Sequence, residues 1–79
     1  MPRIAKTEQQ KRMDEVAYRI DDAANRNSMN RMMLAERASM STATLSRRMN
    51  SPETFTLNEL YRVANALNVS LGRLLGGFS

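Results

Sequence analysis

Seventy-nine residues with neither cysteine nor histidine allow one small core and exclude a disulfide framework, thiolate metal sites and the imidazole ligands favoured by zinc, copper and iron. A net charge of +4 points to an anionic partner. The stretch from Met1 to Gln10 is too polar for a signal sequence and no apolar run nears the ~20 residues of a membrane span, so a cytoplasmic protein without membrane contact, metal or cofactor is expected.

In chain order, Pro2-Arg3-Ile4-Ala5-Lys6 is basic and acid-free, and residues 1–6 are expected to form a flexible arm ahead of a single domain over 7–79. Such an arm can enter a nucleic-acid groove or simply stay disordered. From Thr7 to about Asn25, Met13, Val16, Ala17, Ile20 and Ala24 fall on one helical stripe, opened by the capping pattern Thr7-x-x-Gln10. The outer face of this first helix pairs Glu8 with Arg12, Glu15 with Arg19 and Asp22 with Arg26, an acid four residues before an arginine each time. These arginines belong to a solvated, self-neutralised face rather than to a ligand.

Asn27, Ser28 and Asn30 form a polar break, and Asn30 caps a short second helix running through Ala38, with Leu34 and Ala38 inward. A turn, Ser39-Met40-Ser41, follows. Ser41 then caps a third helix over Thr42 to Asn50, whose buried side is Leu45 and Met49. Ser51-Pro52 stops it, because the residue before proline resists the helical conformation. The stretch from Asn50 to Thr56 reads as a linker. Thr56-x-x-Glu59 is a second capping box, with Leu57, Leu60, Ala64 and Leu67 predicted on one face of a fourth helix. The chain restarts at Ser70 with Leu71, Leu74 and Leu75 and stops at Gly76-Gly77. The expectation is an all-α, compact five-helix fold without strand.

Two short helices joined by a tight turn, the second polar and basic outside and apolar inside, are what a major-groove reader needs. With Leu45 and Met49 inward, ~100° per residue puts Ala43 and Arg47 at the centre of the outer face, flanked by Thr44, Ser46 and Asn50. No acid occurs between Glu36 and Glu53, while Arg37, Arg47 and Arg48 all do, so phosphate is not repelled there. Arg47 has the fork that donates two hydrogen bonds to guanine, worth ~1–3 kcal/mol of discrimination, although a plain surface arginine looks the same in sequence. Thr42, Ala43 and Thr44 fit a thymine methyl or base edge, and equally any exposed helix start. The helix starts near Asn30, Arg31, Ser41 and Thr42 offer unpaired N–H groups to phosphate. Arg48, at the edge of the buried stripe, is expected to pack its stem on the domain and turn its head out, towards phosphate.

The segments Leu34-Ala35-Glu36-Arg37, Ser41 to Arg47 and Leu60 to Leu75, above all Val63-Ala64-Asn65-Ala66-Leu67-Asn68-Val69-Ser70 followed by Leu74-Leu75, resemble the phage repressor and Cro-like helix-turn-helix family over about Thr7 to Gly77. The resemblance implies a lambda repressor-like five-helix domain that binds double-stranded operator DNA as a homodimer, with the third helix in the major groove and transcription as the output. By position it gives Thr42, Ala43 and Arg47 to the bases, and Arg31, Ser41, Thr44 and Asn50 to the sugar-phosphate backbone. It makes Ala35 the small residue that lets the motif helices approach, and Leu45 the buried anchor.

Two residues depart from the family pattern. Ser39 stands where glycine is common in a left-handed turn, at a cost of ~1–2 kcal/mol if that conformation is kept. Arg48 stands where an apolar residue is usual.

Nothing in the chain forms a catalytic constellation, so neither an enzyme nor a small-molecule substrate is expected: no nucleophile lies beside a base, and no glycine-rich phosphate loop is present. Tyr18, Tyr61, Phe55 and Phe78 are too scattered for a stacking platform on single-stranded RNA. A second class stays open, a protein-interaction module such as an antitoxin or anti-regulator on the same fold, with Met29, Met32 and Met33 as an adaptable surface. Leu71, Leu74, Leu75 and Phe78 either close the core or supply dimer contacts.

Overall fold

The computed structural model describes residues 8–76, which form α1 (Glu8–Arg26), α2 (Arg31–Arg37), α3 (Thr42–Asn50), a 3-10 turn (Pro52–Thr54), α4 (Leu57–Leu67) and α5 (Leu71–Leu75). Among the described residues there is no strand. The all-α expectation and the order of the five helices hold. Thr7, the expected first cap, the 1–6 arm, Gly77 and Phe78 lie outside the described residues.

α1 turns Val16, Ile20 and Ala24 into the core, with Met13 and Ala17 packed at its margin. On its other side Glu15 meets Arg19 at 3.8 Å and Asp22 meets Arg26 at 3.2 Å. These are the solvated pairs expected from their spacing, each worth a few tenths of a kcal/mol. The core is completed by Met29, Leu34, Ala35, Ala38, Leu45 and Met49 from the first half, and by Phe55, Leu60, Val63, Ala64, Leu67 and Leu74 from the second.

Three helices end in the same way. After α1, α2 and α4 the chain passes through one residue of left-handed backbone: Ser28 (φ 56), Ser39 (φ 59) and Asn68 (φ 60). The following N–H then reaches back to an alanine carbonyl: Met29 to Ala24 at 2.9 Å, Met40 to Ala35 at 2.8 Å and Val69 to Ala64 at 3.0 Å. This closure occupies carbonyls that the helix end would leave unbonded, and folds an apolar side chain over the last turn. The pattern Ala-x-x-x-Ser/Asn-Met/Val therefore stops all three helices without a glycine. Asn tolerates left-handed backbone, whereas serine carries its Cβ there at a cost.

Two sequence expectations are corrected. The stretch from Asn50 to Thr56 is no linker: Pro52 opens a 3-10 turn, Pro52 and Phe55 are buried, and α1 packs against this turn. Proline's fixed φ suits the first position of such a turn, and burial of the Phe55 ring holds it to the core. On α4 the buried face is Leu60, Val63, Ala64 and Leu67, while Leu57 is 67% exposed. At ~100° per residue Leu57 lies about 70° from the centre of that face, on the first turn of the helix.

At the C-terminal end Leu74 is buried and Leu71 half-buried, so both serve the core, whereas Leu75 is exposed. Of the methionines considered for a partner surface, Met29 is in the core, and Met32 and Met33 are exposed. No helix among the described residues is long and apolar enough to cross a membrane.

Candidate nucleic-acid interface

α2 and α3 are each set by a side-chain cap. The Asn30 Oδ1 accepts from the Met33 N–H at 2.8 Å, and the Ser41 Oγ accepts from the Thr44 N–H at 3.0 Å. The Ser41 hydroxyl in turn donates to the Thr44 Oγ1 at 2.8 Å, which fixes both side chains at the start of α3. Neither helix has an acid in its first turn, and α3 carries Arg47 and Arg48 in its last. The first turn of α3 thus carries no carboxylate that would repel an anion from its N–H groups, of which the Thr44 N–H is already taken by Ser41.

Burial along α3 divides as its amphipathic spacing requires. Leu45 is fully buried and Met49 nearly so. Thr42, Ala43, Arg47 and Asn50 are exposed, while Thr44, Ser46 and Arg48 are half-buried on the flanks. Ala35 and Ala38, both 1% exposed, give α2 the small inward surface that lets α3 pack close to it. The structure thus leaves Ala43 and Arg47 exposed on the face opposite Leu45 and Met49, with Thr44 and Asn50 beside them. Thr42 and Ser41 are exposed at the start of the helix, Thr42 about 140° around the axis from Arg47. Asn30 is exposed at the start of α2. Arg31 is half-buried, its Nε 3.5 Å from the Asp21 carboxylate of α1.

Arg48 behaves differently from its neighbours. Its Nε donates to the Glu59 Oε1 at 3.0 Å, with 28% of the arginine and 13% of the glutamate side chain exposed. The same Oε1 accepts the Thr56 N–H at 2.9 Å, while the Thr56 hydroxyl oxygen accepts the Glu59 N–H at 3.1 Å, completing the capping box of α4. The Thr56 backbone bond and then the Arg48 donation hold the Glu59 carboxyl below its ordinary value, against the opposing effect of desolvation. The expected outward reach of Arg48 is therefore, at Nε, an inward tie to α4. The sequence marked Glu59 as a capping residue but gave no sign of this second partner, because the link depends on how α3 and α4 pack.

A second tie was equally hidden. The Arg62 guanidinium of α4 donates to the Ser39 carbonyl at 3.2 Å, across the turn between α2 and α3. Ser39 keeps the left-handed conformation that its position in the motif demands, so the departure from glycine is absorbed as local strain rather than as a changed turn.

A family model of the Cro/C1-type HTH DNA-binding domain matches residues 19–76, from the last two turns of α1 to the end of α5. No match is found to a curated protein or to a solved structure. The capped helix pair, the acid-free outer face of α3, the left-handed turn between them and this match over most of the chain lead to one conclusion: the chain belongs to the Cro/C1-type helix-turn-helix DNA-binding family.

Proposed function

We propose that this protein is a sequence-specific transcriptional regulator of the phage repressor or Cro type, which inserts α3 into the major groove of operator DNA and blocks a promoter. Arg47 is the principal base reader, with its fork on guanine, and Thr42 and Ala43 meet base edges or a thymine methyl nearer the helix start. Asn30, Arg31, Ser41, Thr44 and Asn50 hold the sugar-phosphate backbone and set the register. Arg48 joins them only through the guanidinium nitrogens beyond the Nε that Glu59 engages. The observation that carries this reading is the exposure of Ala43 and Arg47 at the centre of the outer face of α3, above the buried Leu45 and Met49.

The protein acts as a homodimer, with exposed Leu75 and half-buried Leu71 in the subunit contact. It then favours half-sites roughly 34–36 Å apart or a multiple of that spacing. Selection from random duplex DNA tests the reading: one sequence class should emerge, with affinity falling steeply as salt rises because bound counterions are released. Arg47→Ala should lose the preference at one base pair by ~1–3 kcal/mol. Enrichment without a common sequence, or an Arg47→Ala protein with unchanged preference, rejects it. A partner-protein reading rests on exposed Met32 and Met33 alone, and predicts that Arg47→Ala and Thr42→Ala leave partner capture intact.

A further inference from the structure

The two residues that depart from the family pattern, Ser39 and Arg48, are both held by α4, and by residues three apart on it. Arg62 donates to the Ser39 carbonyl at 3.2 Å and Glu59 accepts from the Arg48 Nε at 3.0 Å. One helix thus grips the motif at the turn before α3 and again in the last turn of α3. The buried contacts of α3, Leu45 and Met49, set which side faces the core, but apolar packing is non-directional and tolerates rotation of the helix about its axis. A charge-assisted hydrogen bond has a direction and a length. This one ends on a carboxylate that the Thr56 N–H already fixes at 2.9 Å, so its anchor does not follow α3 if α3 turns. Arg48 lies next to Arg47 in sequence, about 100° around the helix, so a rotation that breaks the tie swings Arg47 by the same angle.

We propose that the Arg48–Glu59 pair sets the rotation of α3 about its own axis and hence the aim of Arg47, making Glu59 a positioning residue for base discrimination although it touches no DNA. The inference rests on the reading of α3 as the base-reading helix. In this chain the pair takes the place of the apolar contact usual in the family at the Arg48 position, and the Arg62–Ser39 bond steadies the neighbouring turn.

The test is a double-mutant cycle of Glu59→Gln and Arg48→Met. Glutamine keeps the Oε1 acceptor that the capping box needs but not the charge, so the fold survives while the charge-assisted bond to Arg48 is reduced to a neutral one, and Arg48→Met removes the bond altogether. For the duplex selected by wild-type protein, the affinity ratio between that duplex and one altered at the base pair read by Arg47 is measured for all four proteins. A bidentate arginine gives a ratio of about 5- to 150-fold. We expect Glu59→Gln to lower it about fivefold or more, to leave non-specific affinity within about twofold, and to add no further loss once Arg48 is methionine. An unchanged ratio, or an equal further loss in the Arg48→Met background, overturns the proposal.

The orientation of α3 is read independently from residual dipolar couplings of its amides, without DNA. The couplings should shift in Arg48→Met and, to a smaller extent, in Glu59→Gln, and wild-type couplings in both overturn the proposal whatever the DNA result. Failure of the wild-type protein to select any sequence would instead overturn the base-reading assignment, with the couplings still deciding whether Glu59 holds α3.

Discussion

Replacing Ser39 with glycine should stabilise this protein by an amount that the backbone geometry sets. Ser39 sits at φ 59, where the Cβ of an L-residue crowds the following carbonyl at a cost of ~1–2 kcal/mol. Glycine removes that crowding but brings a more disordered unfolded chain, which returns ~0.4–1 kcal/mol of the gain. The difference is about 0.5–1 kcal/mol, and in a domain of this size ~1 kcal/mol moves Tm by ~4–8 °C. Ser39→Gly should therefore melt roughly 3–6 °C above wild type by circular dichroism, while Ser39→Ala, which keeps the Cβ, should gain nothing. The Arg62 bond goes to the Ser39 carbonyl and survives both changes. Ser28→Gly should gain similarly at φ 56, and Asn68→Gly less, because asparagine already tolerates φ 60. A Ser39→Gly protein melting at or below wild type, or the largest gain at Asn68, refutes the assignment of strain to the serine Cβ.

Three further substitutions probe the packing. Phe55→Ala empties a buried site in the 3-10 corner and should cost ~3–5 kcal/mol, enough in so small a domain to leave much of the protein unfolded in a urea titration; a cost below about 1 kcal/mol would return Asn50 to Thr56 to the status of a linker. Leu60→Ala should cost ~2–5 kcal/mol and Leu57→Ala within about 0.5 kcal/mol, and equal costs would contradict the register of α4. Glu59 gives a pH signature. Its carboxyl is held below the ordinary value in the folded state, so its stabilising effect is complete above the unfolded carboxylate range and disappears as pH falls through the lowered folded value. The Tm advantage of wild type over Glu59→Gln should be full at pH 7 and fade in acid, and a constant difference would mean that the charge of Glu59 plays no part.

Much of this molecule was legible because its local signals agree with one another. Asn30, Ser41 and Thr56 each announce a helix start by the chemistry of a side-chain cap, and each accepts the expected backbone bond. The amphipathic spacing of Leu45 and Met49 was enough to turn Ala43 and Arg47 outward, which is where they lie. The errors share one cause. Pro52, Phe55 and Leu57 fall where helical periodicity has just stopped or just begun, so burial is set by which element lies above them rather than by spacing along the chain. The ties from Glu59 to Arg48 and from Arg62 to Ser39 span 11 and 23 residues and have no sequence pattern at all. The alanine-to-serine or asparagine helix stops were written in the sequence three times, but glycine is the residue by which such stops are usually recognised.

The face that enters the groove is tested most directly by amide chemical-shift mapping of the labelled protein on its selected duplex, compared with a scrambled duplex of equal length. The account predicts that shifts distinguishing the two duplexes concentrate on Thr42, Ala43 and Arg47, while Asn30, Arg31, Ser41 and Asn50 respond to both. Duplex-specific shifts centred instead on the exposed side of α1, with α3 unmoved, would contradict it.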